Sequence, residues 1–433
     1  MFGYFLELAW RSLKRAQILS ALMVLAIGLG IGASMTMLTV LRVMTGDPLP
    51  GRSAHLFRPF LDPLPLDFPL RPGTRNPADA LTWPDAKALL ASRKGVRQAA
   101  MAQGNLVARS DRPGIRPRSV EGTYTTRDFF EMFGVSFTAG HAWSNEVEGQ
   151  NARVVVLSQA LARRLFGTAP ATGQVVHFGK QDFEVVGVIR DWHPVPAFHA
   201  VNAGFRGADQ FFLPLSTAVA LNLGVDTMTD WGTQGSGGLT SPTAGWLNFW
   251  VQLDTPAQVA AYRRYLANYS AQQKAEGRYQ RPPGETRLYG LMQWLRHRGL
   301  VPGDVKLQAW LALGFLLVCM LNIVALLLAK FLRRSGEISV RRAVGARRAD
   351  IFRQFGMEAA LIGLGGGLLG IGIAELGLWS VRQRPDDYAR LAHMDGPMLV
   401  ATVVLAVIVS IVAGLLPAWR ACRIAPAIQL KTL

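Results

Sequence analysis

The sequence predicts an integral membrane protein of four transmembrane α-helices, with a large α+β domain inserted between the first and the second. Three observations predict it: four apolar runs of membrane-crossing length, the long polar stretch after the first run, and the placement of the basic residues. The runs are Ile18–Val43, Leu307–Ala329, Phe355–Val381 and Pro397–Trp419. Each is about 23–27 residues long, enough to cross a hydrocarbon core of roughly 30 Å at 1.5 Å per residue. A backbone in lipid must satisfy its own hydrogen bonds, so such runs are read as spanning helices.

The charges orient the chain. Arg11, Lys14 and Arg15 precede the first run against a single Glu7, and Arg420, Arg423 and Lys431 follow the fourth. Between the second and third runs lie Lys330, Arg333, Arg334, Arg341, Arg342, Arg347, Arg348 and Arg353, opposed by only Glu337 and Asp350. Basic residues in short loops mark the cytoplasmic side. Segments 1–17, 330–354 and 420–433 are therefore expected in the cytoplasm, and the insert 45–305 and the charge-balanced loop 382–396 outside. The spans lie at 18–44, 306–329, 355–381 and 397–419.

The chain carries 46 Lys+Arg against 29 Asp+Glu. In a soluble protein that excess would suggest nucleic acid, but much of it sits in the 330–354 loop and the two tails, where topology explains it. No nucleic-acid partner is expected. Cys319 falls in the second span and Cys422 at the foot of the fourth, so neither can staple the insert. At about 260 residues the insert can bury a core without disulfides. The first run has the basic flank of a secretory signal, but it exceeds the 7–15 apolar residues usual for one and reads as an uncleaved anchor.

Within the insert, the proline-rich segment 46–80 predicts an extended entry with an edge strand at His55–Phe60. Thr82 is a candidate N-cap for a helix running to Ser92, with Pro84 in its first turn. Thr126–Phe133 is a second short helix. Val154–Leu157 reads as a buried strand, after which Ser158 caps a helix Gln159–Phe166 that Gly167 ends. Val175–Phe178 and Phe183–Ile189 alternate as strands around Gly179 and Lys180. Phe249–Leu253 is a further strand, Pro256–Ala275 an amphipathic helix, and Thr286–Arg298 a last helix. Two subdomains are expected, one inserted in the other, with a mobile Gly/Ser/Thr-rich loop at 224–245.

These residues resemble a known family. "ARVVVLSQALARRLFG" (Ala152–Gly167), followed by "FEVVGVIRDW", is similar to the periplasmic core domain of MacB-type ABC transporters. "EISVRRAVGARRADIFRQFGMEAALIGLGGGLLG" (Glu337–Gly370) and "LLPAWRACRIAPAIQLK" (Leu415–Lys431) resemble the FtsX-like permease module. The likeness implies a multi-pass permease of a bacterial inner membrane with both termini cytoplasmic and a large α+β periplasmic domain. It implies dimerisation, with an identical chain or a related permease, and work with a cytoplasmic ABC ATPase. No G-x-x-x-x-G-K-[ST] phosphate loop occurs, so ATP and Mg are expected on a separate ATPase chain, with no cofactor and no catalysis on this one.

The 330–354 segment has a helical pattern broken at Gly345 and Ala346, with Arg341, Arg342 and Arg347 among its polar positions. That shape suits docking into a cleft on an ATPase, or a basic helix holding lipid headgroups. In the family this region is the coupling element, and Glu337, Arg341, Gly345 and Ala346 fall on its recurrent positions. Gly28 and Gly32 in the first span, Gly363, Gly366, Gly367 and Gly370 in the third, and Ser410 and Gly414 in the fourth form small-residue faces, for packing within one chain or at a dimer seam. Glu375 lies near the outer interface and is expected to snorkel or pair. Asn322 is expected to bond a neighbouring helix. Asp191, His193 and His199 fit no standard metal-ligand spacing, and no nucleophile motif or carboxylate pair stands out. Trp192, Trp231, Trp246 and Trp250 suit a core, or an apolar surface that meets cargo.

The function expected is ATP-driven efflux of a drug, peptide or lipid-linked cargo, through a membrane-fusion protein and an outer-membrane channel. The alternatives are an FtsX-like transmitter controlling a cell-wall hydrolase or sensor, and a lipoprotein-release permease.

Overall fold

The computed structural model describes residues 2–69, 76–201, 204–232, 237–282, 286–299, 303–333, 348–383 and 392–423. The chain forms two compact units, one of Met1–Thr45 with Val301–Leu433 and one of Gly46–Leu300.

Two helices open the chain, α1 (Phe2–Arg15) and α2 (Gln17–Thr45). The second unit follows with β1 (Leu56–Phe60), β2 (Leu81–Thr82), α3 (Trp83–Ser92), β3 (Arg97–Arg109), β4 (Arg118–Thr125), α4 (Asp128–Met132) and β5 (Phe137–Gly140). It continues through α5 (Asn145–Gly149), β6 (Val154–Ser158), α6 (Gln159–Phe166), β7 (Val175–Phe178), β8 (Gln181–Ile189), β9 (Phe211–Pro214) and α7 (Leu215–Ala220). β10 (Thr229–Asp230), β11 (Ala244–Gln252), α8 (Pro256–Ala275), β12 (Arg287–Gly290) and α9 (Leu291–His297) complete it. The chain then returns to the first unit with α10 (Gly303–Arg333), α11 (Arg348–Arg382) and α12 (Gly396–Arg423).

In the Gly46–Leu300 unit the strands form one hydrogen-bonded path, β12-β1-β11-β3-β4-β9-β6-β8-β5, with β2 and β10 on β11 and β7 joining β3 to β8. Side chains of a strand alternate between faces. Ala99, Met101, Val156, Phe212 and Trp250 accordingly enter one core, while Ala100, Ala102, Val155, Leu157, Phe211, Phe249 and Val251 enter the other. The first core is closed by α4 and α9 through Phe129, Phe130, Leu291 and Trp294. The second is closed by α3, α6, α7 and α8 through Leu89, Leu161, Leu165, Leu215 and Leu266.

Local signals held where caps are strong. Thr82 Oγ1 accepts from the Asp85 amide, and Ser158 from that of Leu161. Thr255 and Gln258 form a reciprocal capping box at the head of α8. Some expectations change. The strand at 56–60 is interior, between β11 and β12, and β12 is the edge. The segment expected as one helix over Thr286–Arg298 splits into β12 and α9. The two subdomains expected, one inserted in the other, share one hydrogen-bonded strand path. In the 224–245 segment the described residues include β10, a short 3-10 turn at Gly238–Thr240 and the start of β11.

In the other unit, helices at Gln17–Thr45, Val305–Lys330, Asp350–Arg382 and Gly396–Gly414 are long and apolar enough to cross a membrane. α1 is a separate amphipathic helix ending in Lys14 and Arg15.

Candidate functional site

The residues expected to contact an ATPase, Glu337, Arg341, Arg342, Gly345, Ala346 and Arg347, lie outside the described residues. The helices that lead into and out of them are described, and their packing defines the site.

α2 and α11 meet through glycines. A Cβ on Gly366 would stand 2.4 Å from Ile27 Cγ2, and one on Gly32 would stand 2.7 Å from Ile373 Cβ. Gly28 faces Leu369, and Gly370 faces the Gly28 carbonyl. The α11–α12 seam is as close, since a Cβ on Gly363 would come within 2.8 Å of Val407 Cα. Gly367 faces Val403 and Ala406, and Gly414 faces Ala359. Ser410 Oγ donates to the Ala359 carbonyl at 2.6 Å. Close backbone approach of this kind is how helices associate where lipid offers no hydrophobic gain. All eight small residues therefore face neighbours within the chain.

Three polar residues meet at the end of the unit where α1 and α10 stop and α11 starts. Lys330 pairs with Glu358, their side chains 3% and 1% exposed. Ser12 Oγ of α1 donates to Glu358 Oε1 at 2.8 Å. Sequence reading passed over Glu358 because it sits as one residue in an apolar helical pattern. The available signal was an acid inside the third run with a lysine at the foot of the second. Glu375, which was singled out, is less buried and pairs with Arg382 at 3.4 Å. Asn322 differs from expectation: it is exposed on α10 and bonds no neighbouring helix among the described residues.

In the Gly46–Leu300 unit, Asp191, His193 and His199 do not converge. His199 Nε2 bonds Asp209 Oδ2 at 2.6 Å, whereas His193 Nε2 bonds the Arg206 carbonyl at 2.7 Å. Burial works against the Asp209 charge, but His199 and Arg206 outweigh it and hold the carboxyl below its ordinary range. No cluster of three or more potential metal ligands occurs among the described residues. Arg206 bonds Glu121 at 2.9 Å and lies 3.7 Å from Asp226, beside a cavity of about 230 Å³ that all three line. Trp246 and Trp250 are fully buried, and Trp192 stacks on Phe133. The tryptophans thus serve the core more than a surface.

Residues 20–269 match the MacB-like periplasmic core domain family, and residues 310–426 the FtsX-like permease C-terminal family. A macrolide export ATP-binding/permease protein MacB from Rhodospirillum rubrum is 27% identical over 99% of this chain and 60% of its own length. A counterpart from Paracoccus denitrificans is 27% identical over 73% of this chain and 42% of its own. This chain thus spans about half the length of these relatives. The periplasmic region of MacB from Actinobacillus actinomycetemcomitans aligns over 58% of this chain and 96% of its own, at 13% identity and a TM-score of 0.37. The first match runs from within α2 through most of the Gly46–Leu300 unit and the second covers the three C-terminal helices: this chain belongs to the MacB/FtsX-like ABC transporter permease family.

Proposed function

We propose that this chain is the permease subunit of an ABC-type system in a bacterial inner membrane, with its termini and the 330–354 loop in the cytoplasm. It performs no catalysis and holds no cofactor. ATP and Mg are handled by a separate cytoplasmic ATPase that docks on the loop through Arg341, Arg342 and Arg347. The spanning helices pass that motion to the 45–305 domain, which expels a drug, peptide or lipid-linked cargo through a membrane-fusion protein and an outer-membrane channel. The observation that carries this reading is the pairing, in one chain, of a MacB-like core with an FtsX-like helix unit whose helices approach to backbone contact.

The permease acts as a dimer, with an identical or related chain. The small-residue faces are occupied within the chain, so the seam falls elsewhere. α10 is the least covered span, 22% buried against 44% for α2. Its outward face carries Leu317, Leu321 and the exposed Asn322. A polar amide on an apolar face is best satisfied across a helix–helix interface.

The test is affinity purification of the tagged chain from mild-detergent membranes, with mass spectrometry of its companions. An ATPase with a membrane-fusion protein supports efflux. An ATPase with a wall hydrolase or a sensor makes the chain a transmitter, and one with a lipoprotein carrier makes it a release permease. No ATPase at all refutes the reading. The double variant Gly345→Pro with Arg341→Glu should insert normally but no longer stimulate the ATPase; unchanged stimulation removes the loop from the mechanism.

A further inference from the structure

We propose that Ser12, Lys330 and Glu358 form a polar clamp that makes the N-terminal helix α1 a working part of the ATPase-coupled transmission, by holding it to the two helices that carry the 334–347 segment. This rests on the reading of the chain as an ATPase-coupled subunit.

Lys330 lies in the last turn of α10, and Glu358 about three turns into α11. Ser12 lies in the last turn of α1. One carboxylate oxygen, Glu358 Oε1, takes both the lysine and the serine, so a single atom joins three helices. Around it the contact is apolar. Ala9, one turn before Ser12, is fully buried, and Leu13 packs against the cluster of Ile351 and Phe355. α1 is thereby fixed to the start of α11 on one face, with its basic residues left for the opposite face.

Apolar side chains of similar volume would hold three helices together at least as well as a buried ion pair. What the pair adds is register. Glu358, its side chain 1% exposed, cannot leave Lys330 and Ser12 without carrying its charge alone into an apolar surround, which is strongly unfavourable. Any push on the 334–347 segment therefore reaches α1, α10 and α11 together, and cannot be dissipated by α11 sliding along α10. Lys330 and Glu358 act as positioning residues: they touch no nucleotide and act through the helices they align.

The full chain is tested in membranes with its ATPase, using Glu358→Gln, Lys330→Met, the conservative Lys330→Arg, and the exchange Lys330→Glu with Glu358→Lys. Ala9→Cys, placed in a background with Cys319 and Cys422 changed to Ser, reports clamp opening by its rate of maleimide labelling. The single neutralising variants should label about tenfold faster than the parent, as expected for local opening. Coupled ATP hydrolysis should fall about tenfold, while the amount of ATPase recovered with the chain stays unchanged. The exchange and Lys330→Arg should restore both. Labelling at the parent rate, or coupling unchanged despite faster labelling, overturns the proposal. So does a fall in hydrolysis that merely follows loss of recovered ATPase, because the pair is then only structural. If the parent recovers no ATPase the subunit reading fails and the proposal falls with it, while the labelling rates still show whether the pair holds α1.

Discussion

The same substitution at three helix glycines should have three different outcomes, ranked by what the new methyl meets. At Gly363 it would stand 2.8 Å from Val407 Cα and 2.9 Å from the Ala406 oxygen, both backbone of α12. Carbon contacts are comfortable at about 3.5–4.0 Å, so the helices must part by roughly 1 Å, which strains the nearby Ser410–Ala359 bond. Overpacking of this kind costs about 1–3 kcal/mol. At Gly414 the methyl meets side chains, Ala359 Cβ at 3.0 Å and Leu327 Cδ1 at 3.7 Å, and a smaller loss is expected. At Gly372 nothing lies within 4 Å, and the higher helix propensity of alanine leaves a gain of up to about 1 kcal/mol. Thermal melts of the full chain in one detergent should therefore separate Gly372→Ala from Gly363→Ala by roughly 2–12 °C, at about 2–4 °C per kcal/mol for a unit of this size. Equal melting of the two variants would refute the packing argument. A destabilising Gly372→Ala whose effect grows on dilution would put a second copy of the chain on that face of α11.

Two further outcomes concern the Gly46–Leu300 unit. Asp85, fully buried, accepts from the Tyr269 and Tyr279 hydroxyls at 2.8 Å each and pairs with Arg278. Burial, helped by the Asp85 charge, pushes both tyrosines above their ordinary range, so both remain donors at any working pH. Asp85→Ala should lower unfolding stability in urea by about 3–5 kcal/mol, the loss expected when one partner of a buried pair is removed; a change below about 1 kcal/mol, the scale of one ordinary hydrogen bond, would show the network to be slack. His177 bonds Asp111 and Asp182 at 3.0 and 2.6 Å, and these bonds raise its pKa above 6.5. A group whose folded pKa is raised contributes fully below its unfolded value and loses that contribution as pH rises through the folded one. The joint between β7–β8 and the segment at Asp111 should thus loosen above about pH 6.5. Hydrogen-exchange protection at residues 109–112, taken relative to the base-catalysed intrinsic rate, should fall between pH 6 and pH 9 in the parent and stay level in His177→Gln.

Much of the architecture was legible because its causes are local. An apolar run of bilayer length has one solution in lipid; Ser158 and Thr82 set helix starts through bonds to amides three positions on, and Pro256 suits the first helical position through its fixed φ. β3 was not legible. Its sequence, RQAAMAQGNLVAR, has Val107 as its single β-branched residue and no aromatic one, unlike a typical strand. From Gln98 to Gly104 it is buried on both faces as an interior strand, and small residues fit there for a reason: a Cβ at Gly104 would stand 2.2 Å from the Tyr124 hydroxyl. β12 was read as helix because its four residues run straight into α9 without a break. The order that makes β12 an edge and β1 an interior strand depends on pairings with residues far along the chain, such as Phe57 with Val251.

The sequence by itself determined the class of the protein, the number and length of its apolar spans, the position of the inserted domain and the family resemblance. Each of these rests on composition, periodicity or short motifs. Only the tertiary structure decided which glycines are spent inside the chain, which carboxylate is buried, and what meets it. Glu358 and Glu375 look alike in sequence, yet one closes three helices around a lysine and a serine while the other pairs with Arg382 half in the open. Burial and pairing are properties of what the fold brings from elsewhere, and residues 12, 330 and 358 share no local pattern that could have announced their meeting.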